Sequence, residues 1–227
     1  MAVNHDSSNT LFRAGGLAYH IAGEEHSEAM ARLLAVSFMH EPMSRALGLT
    51  MTELHEFVSR FIPECTANRL SVIAVSEWSP GELAGAFISR DFRAPLPLGV
   101  PDNFPRFEPI IDALMSVDEQ YQAQVAGLQR GQAVNLWMVG VDGRFSRQGV
   151  AKNLFRISAQ VAQDQAFERC VTECTGHFSQ RAALDAGFQE RACANYKDFF
   201  FKGRPVFAAI PEPDVSVGLY ERVLVVP

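Results

Sequence analysis

The turn between a predicted strand and a predicted helix is the part of this sequence best suited to bind a phosphate. Residues 134–141 are almost wholly apolar, which is typical of a strand buried on both faces, and an amphipathic helix follows Gly149. A glycine-bearing turn that opens a helix directs free N–H groups and the positive end of the helix dipole at one point. Gly149 leaves room for a pyrophosphate beside the backbone, and Ala151 keeps the next turn narrow. The turn therefore predicts a diphosphate site, although an ordinary strand-to-helix turn is the plainer interpretation.

Three cations surround this turn in an otherwise acidic protein, and they are Arg144, Arg147 and Lys152. The sequence lacks the Gly-Lys-Ser/Thr ending of a P-loop and the three spaced glycines of a dinucleotide fingerprint. The candidate cofactor contacts from the turn are Arg144, Ser146, Arg147, Gln148, Gly149, Val150, Ala151 and Lys152.

Composition limits the class of protein that carries this turn. The chain has 227 residues, of which 48% are hydrophobic, and this length fits one large domain. The net charge of -6 argues against a nucleic-acid partner, which needs a broad basic face. The sequence contains no apolar run of the roughly 18 residues that cross a bilayer, so no membrane partner is predicted. Nothing in the sequence predicts an oligomeric state.

The four cysteines are too sparse for a disulfide scaffold. Cys170 and Cys174 are the only close pair in the sequence, and their spacing is not that of a zinc knuckle. The sequence therefore predicts reduced thiols, no metal and a cytoplasmic protein.

Hydrophobic periodicity predicts one α/β domain with a mixed sheet over 15–227, preceded by a disordered leader over 1–14. A proline-rich loop and a long helix form an insertion over 93–132, before the fourth strand. The predicted strands are 16–22, 70–76, 84–92, 134–141, 170–173, 189–196 and 218–226. The predicted helices are 26–39, a segment following Thr52, 107–128, a segment following Gly149, and 178–186, the last one ended by Gly187.

The turn resembles the acetyl-CoA-binding motif of the GNAT acetyltransferase superfamily, a Gln/Arg-x-x-Gly-x-Gly/Ala turn after the fourth strand. Gly149 and Ala151 match its last two fixed positions, whereas Ser146 stands where Arg or Gln is usual. The departure removes one side-chain contact but leaves the backbone cradle, which needs no particular side chain.

Other segments resemble the insect-type arylalkylamine N-acetyltransferase branch of that superfamily. They are Phe-Met-His-Glu-Pro at 38–42, Val-Asp at 141–142, Thr-Gly-His-Phe-Ser at 175–179 with Ala-Gly-Phe at 186–188, and Gly-Arg-Pro-Val-Phe at 203–207. The resemblance implies a mixed sheet splayed between its fourth and fifth strands, with helices on both faces. It also implies acetyl-CoA as cosubstrate and direct transfer of acetyl to a small primary amine, possibly an arylalkylamine.

Such a transfer needs a base, because an alkylammonium ion with a pKa near that of lysine cannot attack a thioester. Glu41 is the candidate, since Phe38, Met39, Pro42 and Met43 surround it and an apolar setting raises the pKa of a carboxylate. The resemblance implies the same role, while a surface position at a helix end is the alternative. Glu173, on the predicted fifth strand beside the splay, is the rival base; otherwise it pairs with backbone or an arginine.

The departing thiolate benefits from a proton or a hydrogen bond. Many GNAT enzymes place a tyrosine where this chain has Ala183, and the insect-type branch offers a serine, here Ser179. Ser179 is either the donor to sulfur or a serine that caps its own helix. In the family, backbone N–H groups of the fourth strand stabilise the thioester oxyanion, which here implies Met138, Val139 and Val141.

An amine pocket should be apolar with few charges, and the candidate walls are Phe38, Met43, Phe57 and Trp137, each of which core packing also explains. Two further functions stay open. A protein or peptide N-acetyltransferase needs an open groove, which the insertion over 93–132 argues against. A non-catalytic CoA-binding module would account for Ser146 and Ala183.

Overall fold

The computed structural model describes residues 10–79, 81–100, 102–125 and 127–225. Within these ranges eight strands form one sheet in the order β1-β2-β3-β4-β5-β6-β8-β7. Every neighbouring pair described is antiparallel except β5 and β6, which are parallel. The strands are β1 (Thr10–Ala14), β2 (Leu17–Ile21), β3 (Val72–Ser76), β4 (Leu83–Asp91), β5 (Ala133–Val141), β6 (Arg169–Cys174), β7 (Gln189–Asn195) and β8 (Ser216–Val223). The prediction of a mixed α/β sheet is confirmed.

The α-helices begin and end where local capping groups permit. Thr50 caps the helix Met51–Ala67 by accepting the Glu53 N–H at 3.3 Å, and Glu53 accepts the Thr50 N–H at 2.8 Å in return. Gly187 follows the last helix with a φ of +87°, the left-handed stop that the sequence predicts. The helices are α1 (Ser27–Phe38), α2 (Pro42–Ala46), α3 (Met51–Ala67), α4 (Glu108–Gln124), α5 (Val150–Asp164) and α6 (His177–Asp185).

The helices cover both faces of the sheet. One face packs against α5 and α6, with Leu154 and Phe155 of α5 fully buried. The other face is divided between α1 and α3 over its first half and α4 over its second half. Gly140 brings α1 close to β5, because a Cβ at this position would lie 2.7 Å from Ser37 Oγ. The two halves of the second face meet beside β5 and β6.

The sheet opens between β5 and β6. These strands pair only from Ala133–Arg169 to Asn135–Val171, whereas β5 continues along β4 to Val141 and β6 continues along β8 to Cys174. The predicted splay, expected between the fourth and fifth strands, is therefore confirmed. The β4–β5 register also shifts where Trp137 lies, and such a bulge re-aims side chains near a site.

The predicted leader over 1–14 is wrong over its last five residues. Residues 1–9 lie outside the described part of the chain, but Thr10–Ala14 forms β1 and pairs antiparallel with β2. Most of β1 is exposed at the sheet edge, so it lacks the alternation of apolar residues that reveals a half-buried strand. Pro80, in the predicted β3–β4 turn, and Val226, in the predicted last strand, also lie outside the described residues.

The structure adds one short helix, α2, which the sequence did not predict because its five residues are too few for a visible helical period. The insertion predicted over 93–132 contains α4. The four cysteines are free, as predicted. No helix in the described ranges combines the length and the apolar character that a bilayer span requires.

Candidate active site

A cavity of about 150 Å³ lies where β5 and β6 separate, with α1, α2 and α3 on one side and α4 on the other. All three predicted catalytic residues and all four predicted pocket walls line it. The predicted residues in its lining are Phe38, Glu41, Met43, Phe57, Trp137, Met138, Val139, Glu173 and Ser179. Among the described residues that line it, none is a lysine, arginine or histidine.

Glu41 is held in place by the short helix that it begins. Its carboxylate accepts the backbone N–H of Met43 at 3.0 Å and that of Ser44 at 2.6 Å, and it is hydrogen-bonded to the Thr175 side chain. Burial raises the pKa of Glu41, although the hydrogen bonds from Ser44, Met43 and Thr175 oppose the rise. The carboxylate is thus oriented by backbone groups and retains protons more readily than an exposed glutamate.

Glu173 lies on β6, two residues beyond the last pair with β5, and is 8% exposed. Asn135 Nδ2 donates to both of its carboxylate oxygens at 3.2 Å. Asp118 of α4 forms a second hydrogen bond to Glu173, and burial raises the pKa of both carboxyls. Of the two alternatives predicted for Glu173, the bond to backbone is present, because a backbone hydrogen bond favours its ionised form. Arg90 acts on it through charge alone among the described contacts.

Ser179 occupies the first turn of α6. Its hydroxyl donates to the Gly176 carbonyl at 2.8 Å and accepts the Gly176 N–H at 3.3 Å, so the helix-opening interpretation describes its present bonds. It also contacts the Cys174 thiol, whose pKa burial raises to about 12. The hydroxyl must exchange its bond to Gly176 before it can serve another group.

Aromatic side chains from α3 and the insertion form the far wall of the cavity. Phe57 stacks on Phe107 with ring centroids 4.2 Å apart, and Phe61 packs against Trp137 with centroids 5.4 Å apart. Met43 is fully buried and also belongs to the core under α4. The wall residues therefore serve as core and as lining at once. The remaining apolar lining from α3 and α4 includes Leu54, Val58, Ile110, Ile111 and Leu114.

The predicted phosphate turn lies after β5, outside the cavity lining. Gly149 precedes α5 with a φ of +77°, and no atom lies within 4 Å of where its Cβ would be. The N–H groups at the start of α5 have no partner within the helix. Their side of the turn is therefore open, which fits a group that binds through oxygen atoms. Gly149 and Ala151 can contact a ligand only through their backbone groups. The side chain of Val150 is buried in the core.

The three cations of the turn differ in whether an acidic side chain already neutralises their charge. Arg144 forms ion pairs with Glu82 and, at 2.7 Å, with Asp142. Arg147 and Lys152 are exposed, and no ion pair to either is found among the described residues. The backbone N–H groups of Arg144 and Ser146 are also occupied, by Asp142 Oδ1 and by the Gly143 carbonyl. The open part of the turn thus begins at Arg147 and includes Gln148.

Met138, Val139 and Val141 lie on β5 beyond its last pair with β6. Their other neighbour, β4, is paired throughout this stretch. Among the described residues the β6-facing edge of β5 therefore has no strand partner after Asn135, and its backbone groups face the opening. No group of three or more His, Cys, Asp and Glu side chains in the described ranges is arranged to hold a metal ion.

The structure brings three more polar residues to the site, namely Asp118, Asn135 and Thr175. Asp118 continues the apolar face of the predicted helix through Ile111, Leu114 and Tyr121, so a charge at that position was a visible signal. Asn135 interrupts an apolar strand in the same way. Polar side chains at core positions need hydrogen-bond partners, so their positions in the apolar pattern could have identified Asp118 and Asn135 as candidate site residues. Thr175 lies inside a quoted motif but carries no such signal.

No protein-family model and no curated protein sequence matches the chain. Among solved structures, arylalkylamine N-acetyltransferase 2 from Aedes aegypti superposes with a TM-score of 0.77 at 20% identity, covering 93% of this chain and 100% of that one. The C-terminal condensation domain of Ebony, in complex with β-alanyl-dopamine, gives 0.80 at 13% identity, with 92% and 99% covered. Polyamine N-acetyltransferase of Drosophila melanogaster gives 0.69 at 16% identity, with 92% and 100% covered. The chain therefore has the fold that these insect N-acetyltransferases share.

Proposed function

We propose that this protein transfers an acetyl group from acetyl-CoA to the primary amine of a small cationic molecule. The observation that carries the proposal is the position of Glu41, a carboxylate of raised pKa inside an apolar cavity at the splay of the sheet. The site joins this base to an open strand edge and an open helix N-terminus, which are the groups that thioester chemistry needs.

The turn after β5 fits the diphosphate of acetyl-CoA. The N–H groups at the start of α5 bind phosphate oxygens, and Gly149 leaves space for their approach. Arg147 and Lys152 add positive charge there, while Arg144 shapes the turn through Asp142. The free edge of β5 then binds the extended arm of the cosubstrate by main-chain hydrogen bonds, with the thioester at the cavity.

The cavity selects the acceptor by size and charge. A cavity of about 150 Å³ lined by apolar residues holds a benzene-sized group, and this one has that volume. Phe57 and Phe107 offer a flat surface for a ring. Glu41 and Glu173 attract an ammonium ion, and the lack of a lining cation among the described residues disfavours acceptors that carry a carboxylate. These features support an arylalkylamine over an amino acid.

Catalysis follows from the arrangement of these groups. Glu41 takes a proton from the bound ammonium ion, and the neutral nitrogen then attacks the thioester carbonyl. Of the backbone N–H groups at Met138, Val139 and Val141, those that point to the free edge of β5 hold the oxyanion, since successive N–H groups of a strand point to opposite edges. Ser179 supplies a hydrogen bond to sulfur if its hydroxyl turns away from Gly176. The similar structures support this reaction class, since they include enzymes named for arylalkylamine and polyamine N-acetylation.

The test is the release of free thiol from acetyl-CoA in the presence of an amine panel. We expect turnover with phenethylamine and tyramine, weaker turnover with the diamine putrescine, and none with phenylalanine. A peptide with a free N-terminus tests the protein-acetylating alternative, and turnover of that peptide above every small amine would overturn the acceptor class.

Calorimetry with CoA tests the remaining alternative, a protein that binds CoA without catalysing acetyl transfer. Binding of CoA without thiol release for any amine would mean a non-catalytic CoA-binding module. The absence of both binding and turnover would overturn the proposal as a whole.

A further inference from the structure

The hydrogen bond between Asn135 and Glu173 spans β5 and β6 at the point where they begin to separate. Asn135 is the last β5 residue paired with β6, and Glu173 lies two residues past its partner Val171. Asn135 Nδ2 lies 3.2 Å from each oxygen of Glu173. Glu173 lines the cavity, whereas Asn135 and Asp118 lie behind it. Glu173 is therefore the member of this group that reacting molecules would touch.

Asp118 and Glu173 are hydrogen-bonded to each other, so both cannot be ionised without a large cost. Asp118 donates a hydrogen bond to Glu173, its Oδ1 is buried with no partner in the described structure, and Asn135 Oδ1 has none either. Two hydrogen-bonded carboxyls away from water share one proton, because like charges in contact disfavour the doubly ionised form. Burial and the neighbouring carboxylate both raise the pKa of Asp118.

Other charges around the pair do not displace this proton. Arg90 of β4 favours ionised Glu173, but its guanidinium is bound by Glu64 of α3 at 3.3 Å and by the Pro95 carbonyl. Glu119, next along α4, further disfavours ionised Asp118. On β6, Cys174 holds its own proton because burial raises the pKa of its thiol to about 12.

We propose that Glu173 is the acid that protonates the departing CoA thiolate, and that Asp118 is the positioning residue that keeps a proton on the pair. The inference deepens the proposed function and rests on it. As the C–N bond forms and the C–S bond breaks, the electron pair goes to sulfur, which takes the proton of the pair. The nitrogen, positively charged after its attack, returns a proton to Glu173 as the proton of the pair leaves, so the two carboxyls are never ionised together. The pair thus ends each turnover as it began, while the first ammonium proton leaves through Glu41.

Three other positions near the splay are less suited to this step. Ala183 replaces the tyrosine acid of many GNAT enzymes and is fully buried in the core. The Ser179 proton is donated to Gly176, and the Tyr196 hydroxyl donates to the Thr175 carbonyl. The Asp118–Glu173 pair, in contrast, holds a carboxylic acid proton, and Glu173 lines the cavity at the point where β5 and β6 separate.

The experiment compares Asp118→Asn and Glu173→Gln with Asp112→Asn, a matched change at an exposed residue of the same helix. We expect Glu173→Gln and Asp118→Asn to lower kcat by about 100-fold, in the range of general acid catalysis, with the Kd for CoA unchanged. The wild-type kcat should fall at alkaline pH as the pair loses its proton, and this fall should disappear in Asp118→Asn. Asp118→Glu should recover part of the rate.

Infrared spectroscopy tests the shared proton without reference to activity. Near neutral pH, wild type and Asp112→Asn should show the C=O band of a buried carboxylic acid, and Asp118→Asn should lack it. The inference would be overturned if the C=O band persisted in Asp118→Asn. It would also be overturned if that variant kept the wild-type kcat and the wild-type fall of kcat at alkaline pH. Either result would leave the proposed function intact. A wild-type protein that releases no thiol with any amine would instead overturn both.

Discussion

The Glu41 carboxylate accepts the backbone N–H of Ser44 at 2.6 Å, so the residue that begins α2 also lines the cavity. These N–H bonds fix the direction of the carboxylate and favour its ionised form. Burial acts in the opposite sense and is the larger effect, so the pKa of Glu41 is raised. A single residue thereby combines a rigid position with the proton affinity of a useful base.

Glu41→Gln should lower kcat by about 10²–10⁴-fold, because the amide keeps the shape of the side chain and one acceptor oxygen but cannot take a proton. Steady-state thiol release gives kcat, and calorimetry should find the acetyl-CoA Kd within twofold of wild type. Glu53→Gln is the control, since Glu53 also caps a helix but does not line the cavity. Glu53→Gln should lower the thermal stability and leave the turnover number unchanged. A wild-type turnover number in Glu41→Gln would exclude Glu41 as the base.

Gly149→Ala should weaken CoA binding because its methyl group enters the open side of the turn. The change also strains a backbone at φ +77°, which costs about 1 kcal/mol of stability. Gly131→Ala separates the two effects, since Gly131 has a φ of +82° and equally open space around it, before β5. We expect both variants to lose similar stability in chemical denaturation and only Gly149→Ala to bind CoA more weakly. Equal CoA affinities would remove the turn from the binding site.

Arg147→Ala should raise the Kd for CoA several-fold, and Arg144→Ala should change it little. Arg144 is already neutralised by Asp142 and Glu82, whereas Arg147 is exposed at the open part of the turn. Calorimetry at two salt concentrations distinguishes a charge contact, because screening weakens it. A larger effect at Arg144 than at Arg147 would mean that the ion pairs exchange for phosphate.

Asp118→Asn should stabilise the protein increasingly as pH rises. The folded state holds the Asp118 proton above the usual aspartate pKa of about 3.9, so it binds more protons than the unfolded state and loses stability as pH increases through that window. Asparagine does not titrate, and its amide can still donate to Glu173. Thermal unfolding at pH 5, 7 and 9 should give a Tm difference from wild type that grows more positive. A constant difference would contradict a raised pKa of Asp118.

Much of the fold follows from local patterns in the sequence. The helical periods of α1, α3, α4 and α5 and the apolar run of β5 each lie within about a dozen residues, and local preference and burial act over that range. β1 and α2 were missed because an exposed edge strand and a five-residue helix carry little hydrophobic signal. The cap that orients Glu41 belongs to the same missed helix.

The sequence by itself determined which residues are suited to the chemistry, namely Glu41, Glu173 and the turn around Gly149, because residue type, glycine and hydrophobic period are local properties. Only the tertiary structure decided their partners. Asp118 meets Glu173 because α4 packs across the splay, and Arg144 meets Glu82, which lies 62 residues away, because β4 and β5 are neighbours. The protonation and free charge of a group depend on the groups packed against it, and that packing exists only after the chain has folded.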